Sequence, residues 1–189
     1  METDRIRDRL KNPEWRKEPF EWFYQTNVFS DEFYSEILHN LPDLSRYRKY
    51  GGPYKLRYLF DMAGQDTFWN KVLSMFICVF GNNIRVQLCR DLPGYAIRPH
   101  TDGQEEIETI LIYLPKYGAV GQGTSVYVPK NKGFTSDGTK HHDRALFDLL
   151  FTTEYKPNSA FGFIRSDNSF HGVEPTTQTR DLIQVSVWR

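Results

Sequence analysis

A mainly β, α+β fold, with N-terminal helices backing a jelly roll, is predicted by three observations. Helical periodicity dominates residues 1–83, short β-prone runs separated by glycine and proline dominate 84–189, and the last of those runs has two faces of different character. The chain has 189 residues, enough for one sizeable core and short for two, so a single domain over 1–189 is expected, with 1–83 as a mostly helical support layer and 84–189 as the β core.

The first helix is expected over DEFYSEILHNLP. Ser30 is placed to cap it, Asp31 and Glu32 suit the positive end of the helix dipole, Phe33, Ile37 and Leu41 share a face, and Pro42 stops it. A second begins near Asp66 or Thr67 and carries Phe68, Trp69, Val72, Leu73, Phe76, Ile77 and Phe80 at helical spacing as far as Gly81-Asn82-Asn83, an apolar stripe suited to core packing. From Ile84 the runs IRVQLCR, YAIRPH, ETILIYLP, TSVYVP, AFGFI and DLIQVSVW read as strands between turns at Pro93-Gly94, Gly118, Gly121, Gly123, Pro157 and Pro175. In DLIQVSVW, Ile183, Val185 and Val187 form an apolar face toward the helices, while Leu182, Gln184, Ser186 and Trp188 line a mixed interior. One long polar stretch, YVPKNKGFTSDGTKHHDR, interrupts the strands. Its 129–144 portion is expected to be a mobile lid, because it offers little core to bury.

Lys and Arg total 24, as do Asp and Glu, so no overall charge attracts nucleic acid or an anionic membrane, and no nucleic-acid module is recognisable. No apolar run is long enough to span a bilayer, and METDRIRDRLKN is a mixed-charge start unlike a signal peptide. Both cysteines, Cys78 and Cys89, sit in apolar stretches and read as buried hydrophobes, so a soluble cytoplasmic protein is expected.

The chemistry lies in four residues: His100 and Asp102 in PHTD, His171 in FHGVEP, and Arg180 nine positions later. Two imidazoles and a carboxylate can hold one face of an octahedral Fe(II) and leave three positions open, and a nearby guanidinium offers a fixed fork to the distal carboxylate of an organic acid. An H-x-D triplet alone is weak, and the chain contains a second, His141-His142-Asp143. Context separates them: the first follows a strand-like run whose alternation would place His100 and Asp102 on one face, whereas the second sits in a polar, glycine-bearing loop and reads as a solvated tip. His171 alone could be an ordinary half-buried strand histidine. The turn-like TTQT suggests a hairpin that would set it beside Arg180 on adjacent strands.

These residues resemble the Fe(II)- and 2-oxoglutarate-dependent dioxygenases, whose pattern is H-x-D, a later His, and an Arg or Lys nine or ten residues on. The likeness covers roughly residues 84–189 and is greatest to small prolyl-hydroxylase-type members with a double-stranded β-helix. It implies that His100, Asp102 and His171 bind Fe(II), that Arg180 pairs with the C5 carboxylate of 2-oxoglutarate, and that Tyr113, in the strand after H-x-D, adds a hydroxyl there. Tyr113 could equally be a strand aromatic in a tyrosine-rich chain. Leu182 stands where many members have serine, which leaves the second carboxylate contact open. Arg90, Tyr95 and Arg98 lead into PHTD and are further candidates at the site mouth.

The implied reaction consumes O2 and 2-oxoglutarate, with ascorbate as an auxiliary reductant, and hydroxylates a small molecule or a protein side chain with release of succinate and CO2. With Asp at 102 no ligand position is vacated for halide, which favours hydroxylation over halogenation. Two alternatives remain: a cupin using His100, Asp102 and Glu106, which has no need of Arg180, and a non-catalytic jelly roll that recognises a glycan or peptide. The cluster Arg46, Arg48, Lys49, Lys55 and Arg57, interleaved with Tyr47, Tyr50, Tyr54 and Tyr58, reads as a solvated charged face or as a contact for an acidic or sugar-like group. Substrate identity and oligomeric state stay open.

Overall fold

The computed structural model describes residues 1–50, 56–64 and 67–189. Its strands are antiparallel and form two sheets that face each other. The larger has the order β1 (Trp22–Thr26), β9 (Ser159–Ile164), β6 (Glu106–Tyr113), β11 (Arg180–Trp188), β4 (Ile84–Asp91), β3 (Arg57–Asp61) and β2 (Arg48–Lys49). The smaller has the order β5 (Ile97–His100), β10 (His171–Val173), β7 (Ser125–Pro129) and β8 (Phe147–Thr152). From β4 onward the chain passes back and forth between the sheets, except that β7 and β8 are neighbours in the smaller one, which is the order of a jelly roll, as the strand pattern predicts.

Three helices, α1 (Glu2–Lys11), α2 (Asp31–His39) and α3 (Thr67–Phe80), cover the outer face of the larger sheet. Ser30 caps α2 by accepting a hydrogen bond from Phe33 N at 3.2 Å. Gly81 takes φ +86° after α3 and its N–H bonds back to Ile77 O at 2.8 Å, a left-handed stop that glycine adopts without strain. Trp69, Val72 and Phe76 are fully buried against Ile110 and Ile112 of β6 and Ile183 and Val185 of β11. That packing fixes which face of the larger sheet looks inward. A strand has a side-chain period of two, so with Ile183 and Val185 under the helices, Leu182, Gln184 and Ser186 must face the smaller sheet.

Several expectations need correction. The first 83 residues are not mainly a helical layer: they add α1 and also β1 and β3, short aromatic-rich runs (WFYQT and RYLFD) that widen the larger sheet. The expected start of α3 at Asp66 lies outside the described residues. His171 and Arg180 do not share a hairpin. β10 pairs with β5 and β7 while β11 pairs with β4 and β6, so the two residues face each other across the sandwich. Cys78 is exposed, because α3 turns Trp69, Val72 and Phe76 inward and Cys78 outward; Cys89 is buried as expected.

The 129–144 stretch does have a core, carried by Phe134. Its ring lies 5.7 Å from those of Phe147 and Phe170, and Ser136 N and His142 N bond to Asp167 O at 2.9 Å and Pro99 O at 2.8 Å. Gly138 at φ +85° touches the chain beside Asp102, where any Cβ would come within 2.2 Å of Asp102 O. The stretch is an anchored cover over one side of the site.

Asn158, at φ 55°, ties the larger sheet to the segment entering α2: its side chain accepts from Phe29 N at 2.8 Å and donates to Phe29 O at 2.9 Å, all buried. Asn158→Ala leaves both Phe29 groups unpaired and is expected to cost roughly 2 kcal/mol or more in urea unfolding, whereas an exposed change such as Val120→Ala should leave the midpoint unchanged.

Candidate active site

His100 ends β5 and His171 begins β10, and the two are direct register partners. Each ring donates Nδ1–H to a carbonyl of its own segment, His100 to Arg98 O and His171 to Ser169 O, both at 3.0 Å. A carbonyl only accepts, so each Nδ1 carries a proton and each Nε2 is turned toward Asp102 in the space between the sheets. Asp102 lies two residues beyond the end of β5, in a loop and not on the strand as expected. It is held from β6, where Thr109 Oγ1 donates to Asp102 Oδ2 at 2.6 Å, and by Arg165, whose Nε donates to Asp102 O at 3.2 Å. Asp102 Oδ1 is 3.4 Å from His171 Nε2 and 3.8 Å from His100 Nε2, and the three donor atoms lie within 4.8 Å of one another. Among the described residues this is the group of His, Cys, Asp and Glu side chains that could hold a metal ion.

The three groups set one another's charge. Burial would raise the Asp102 carboxyl, but His171 and its hydrogen bond outweigh burial and hold it well below the usual carboxylate range. Burial would likewise lower His171, and Asp102 raises it. His100, buried and facing His171, is pushed down to about 3. This is a set of two imidazole nitrogens and one carboxylate converging on one point, and a cation bound there would displace the proton that His171 shares with Asp102.

Across a cavity of about 280 Å³ stands Arg180, fully buried at the start of β11. It pairs in register with Asp91 of β4, which in turn pairs with Arg57 of β3. Arg57 grips Asp91 with a two-pronged fork, Nε to Oδ1 at 2.6 Å and Nη2 to Oδ2 at 2.8 Å. Arg180 Nη1 stands off at 3.7 Å from Asp91 Oδ2. Arg180 Nε and Nη1 are buried and have no hydrogen-bond partner, which is the state expected of donors waiting for an acceptor from outside the chain. The cationic carbon sits 5.9 Å from the Tyr113 ring and 5.7 Å from the Tyr155 ring, an aromatic wall that suits a guanidinium.

The other candidates divide. The Tyr113 hydroxyl accepts from Thr124 N at 3.0 Å and bonds the hydroxyls of Thr124 at 2.8 Å and Thr153 at 3.0 Å, so it is turned toward those threonines, and its ring is what meets Arg180. Thr124 itself lines the cavity. Arg90 points to the opposite face and forks onto Asp181 at 2.6 and 3.1 Å, Arg98 is exposed, and Tyr95 lies buried beneath Arg57 with its hydroxyl unpartnered. His141 is not a loop tip: its ring stacks on His100 at 4.4 Å and lines the cavity. Asp143 instead caps a short turn by accepting from Ala145 N at 2.9 Å. In the basic cluster, Arg57 is drawn inside and Arg48 pairs with Asp61 at 3.2 Å, while Tyr54 and Lys55 lie outside the described residues. Asp91 escaped sequence reading, and Arg57 was read only as one of a basic cluster, because their meaning depends on register between strands far apart in the chain.

No protein-family model matches the chain, and no curated protein matches it in sequence. Solved structures do. A prolyl hydroxylase from Trichoplax adhaerens, in complex with a hypoxia inducible factor oxygen degradation domain peptide fragment, superposes with a TM-score of 0.64 at 12% identity over 98% of this chain and 88% of that one. A prolyl-4-hydroxylase from Pseudomonas putida gives 0.57 at 15% identity over 100% and 99%. HygX from Streptomyces hygroscopicus, with nickel, 2-oxoglutarate and hygromycin B bound, gives 0.55 at 11% identity over 88% and 82%. The chain has the jelly-roll fold of these proteins.

Thr109 orients a carboxylate that would otherwise swing free. Thr109→Val is expected to weaken divalent-metal binding about tenfold or more in equilibrium dialysis, and Thr109→Ser to restore most of it.

Proposed function

We propose that this protein is an Fe(II)- and 2-oxoglutarate-dependent oxygenase that hydroxylates a small molecule or a protein side chain, with one domain over 1–189 and a reducing, cytoplasmic setting suited to its two free cysteines. The observation that carries this is the pairing, across one small cavity, of the His100, Asp102 and His171 donor set with the unpartnered Nε and Nη1 of Arg180. The structural likeness to HygX, whose structure holds nickel and 2-oxoglutarate, supports it.

On this reading His100 Nε2, His171 Nε2 and Asp102 hold the metal by one face and leave the other open. Arg180 takes the far carboxylate of the diacid in a charge-assisted pair. The cavity walls Leu59 and Leu111 are apolar and suit its methylenes. Iron held there would supply the activation of O2, and overall R–H, O2 and 2-oxoglutarate would become R–OH, succinate and CO2, with one atom of O2 in R–OH and one in succinate. The protein's part is to hold both acids in line, aim the substrate and exclude water. A cupin arrangement is disfavoured, since Glu106 stands outside the converging donor set and Arg180 would be left without a purpose.

Variants test the assignment. His100→Ala, Asp102→Ala and His171→Ala should each abolish Fe(II) binding and turnover, whereas Asp143→Ala should keep metal affinity nearly unchanged. Arg180→Ala should cost about 2–5 kcal/mol of cosubstrate binding, raising the 2-oxoglutarate requirement roughly 30-fold or more without loss of iron; Arg180→Lys should recover part of it. Unaltered dependence on 2-oxoglutarate in Arg180→Ala would contradict the proposal.

A further inference from the structure

The inward face of the larger sheet is built in layers, and the chemistry above leaves Gln87, Gln184, Arg85 and Glu106 without a role. Strand register sets Arg57, Asp91 and Arg180 at the closed end, then Leu59, Cys89 and Leu182, then Gln87, Gln184 and Leu111, and then Arg85, Ser186 and Thr109. At the mouth, Trp188 pairs with Glu106.

Glu106 owes its place to a fault in the ladder. Strict alternation from Thr109 would bring Ile107 inward. The register slips between Val187 and Trp188, so Val187 faces Glu108 and Trp188 faces Glu106, and the inward residue becomes Glu106 while Ile107 is turned out and 40% exposed. Slips of this kind re-aim a side chain beside a site. Here the result is a carboxylate where an apolar residue would otherwise stand.

On the other side of β11, Arg85 enters the same mouth from β4, its guanidinium 5.3 Å from the Trp188 ring centroid. Among the described residues neither Arg85 nor Glu106 forms an ion pair, and Glu106 meets two neutral hydroxyls, those of Thr109 at 3.4 Å and of Ser186. Between them lie two carboxamides with capacity to spare. Gln87 Nε2 donates to Asp61 at 3.1 Å and Gln184 Oε1 accepts from Arg57 at 3.3 Å, which leaves Gln87 Oε1 and Gln184 Nε2 without protein partners among the described residues. β4 and β6 are two strand spacings apart, about 10 Å, so long side chains from each can flank a short ligand that carries charges of both signs.

Resting on the oxygenase reading, we infer that the substrate is a small zwitterion of amino-acid size, its carboxylate taken by Arg85 and its ammonium by Glu106, with Gln87 and Gln184 fixing the atoms between. Size agrees with chemistry. The cavity that these groups line, cosubstrate end included, is about 280 Å³, near the lower end of the roughly 300–1,000 Å³ usual for ligand pockets. A neutral prolyl ring inside a peptide would leave both mouth charges unanswered.

The test uses the full chain, shown by equilibrium dialysis to hold Fe(II) and 2-oxoglutarate. Succinate formation is measured with each of the twenty free amino acids, with their N-acetyl and carboxamide derivatives, and with a capped proline-containing pentapeptide. At least one free amino acid is expected to stimulate succinate formation, and capping either of its ends should lower the stimulation tenfold or more. Glu106→Gln and Arg85→Gln should each raise KM for that amino acid at least tenfold while KM for 2-oxoglutarate and Fe(II) affinity stay put. No stimulation by any free amino acid, stimulation by the capped forms or the pentapeptide equal to that by the free form, or unchanged KM in both variants would each overturn the inference while leaving the oxygenase reading intact. Failure to hold Fe(II) and 2-oxoglutarate in the first step would overturn both.

Discussion

Two guanidiniums and one carboxylate lie together at the closed end of the cavity, and their imbalance governs how the rest of the site is understood. Asp91 is fully buried and commits both oxygens to Arg57, whose guanidinium burial alone would make easier to deprotonate and which Asp91 keeps charged. Arg180, equally buried, has the remainder of Asp91's field at 3.7 Å and two aromatic faces. A buried cation with unanswered donors is costly unless an anion arrives. A ligand carboxylate would offset that cost, and the jelly roll places the His100, Asp102 and His171 donors across a narrow space from it.

The positions of these groups follow from alternation. The helices bury Ile183 and Val185, so Arg180, Leu182, Gln184 and Ser186 are committed to the interior as one row. Each has partners at matching depth on neighbouring strands, β4 for all four and β3 or β6 beside them, which turns a linear pattern into layers of charge, hydrocarbon, amide and hydroxyl. The smaller sheet answers with His100 and His171 side by side. Asp102 is the one donor that no strand positions, and it has the most support: a hydroxyl from Thr109, a guanidinium from Arg165 on its carbonyl, and Gly138 seated against its backbone.

Much of this was legible in the chain. Periodicity located α2, α3 and six of the strands, because each is long or strongly patterned, and the inward row of β11 could be read from DLIQVSVW alone. His100, Asp102, His171 and Arg180 stood out through spacing and residue type. What escaped depends on register. β10 is three residues long and TTQT resembles a hairpin turn, so the crossing between sheets was invisible. Asp91 and Arg57 are ordinary charged residues until β3, β4 and β11 align. Glu106 faces inward only through the slip that skips Ile107, and Phe134 gives a polar stretch a core that its composition hides. The second H-x-D is not the solvated tip expected of it: Asp143 caps a short turn, and His141 reaches the site by stacking on His100.

The central claim is that one ligand bridges the two halves of the cavity, with its carboxylate on Arg180 and its other end on a metal held by His100, Asp102 and His171. Anaerobic absorption spectroscopy tests this directly. Fe(II) alone should leave the visible spectrum featureless, and adding 2-oxoglutarate should bring up a weak metal-to-ligand charge-transfer band that saturates at one equivalent. A protein that binds Fe(II) but gives no band at saturating 2-oxoglutarate would contradict the account.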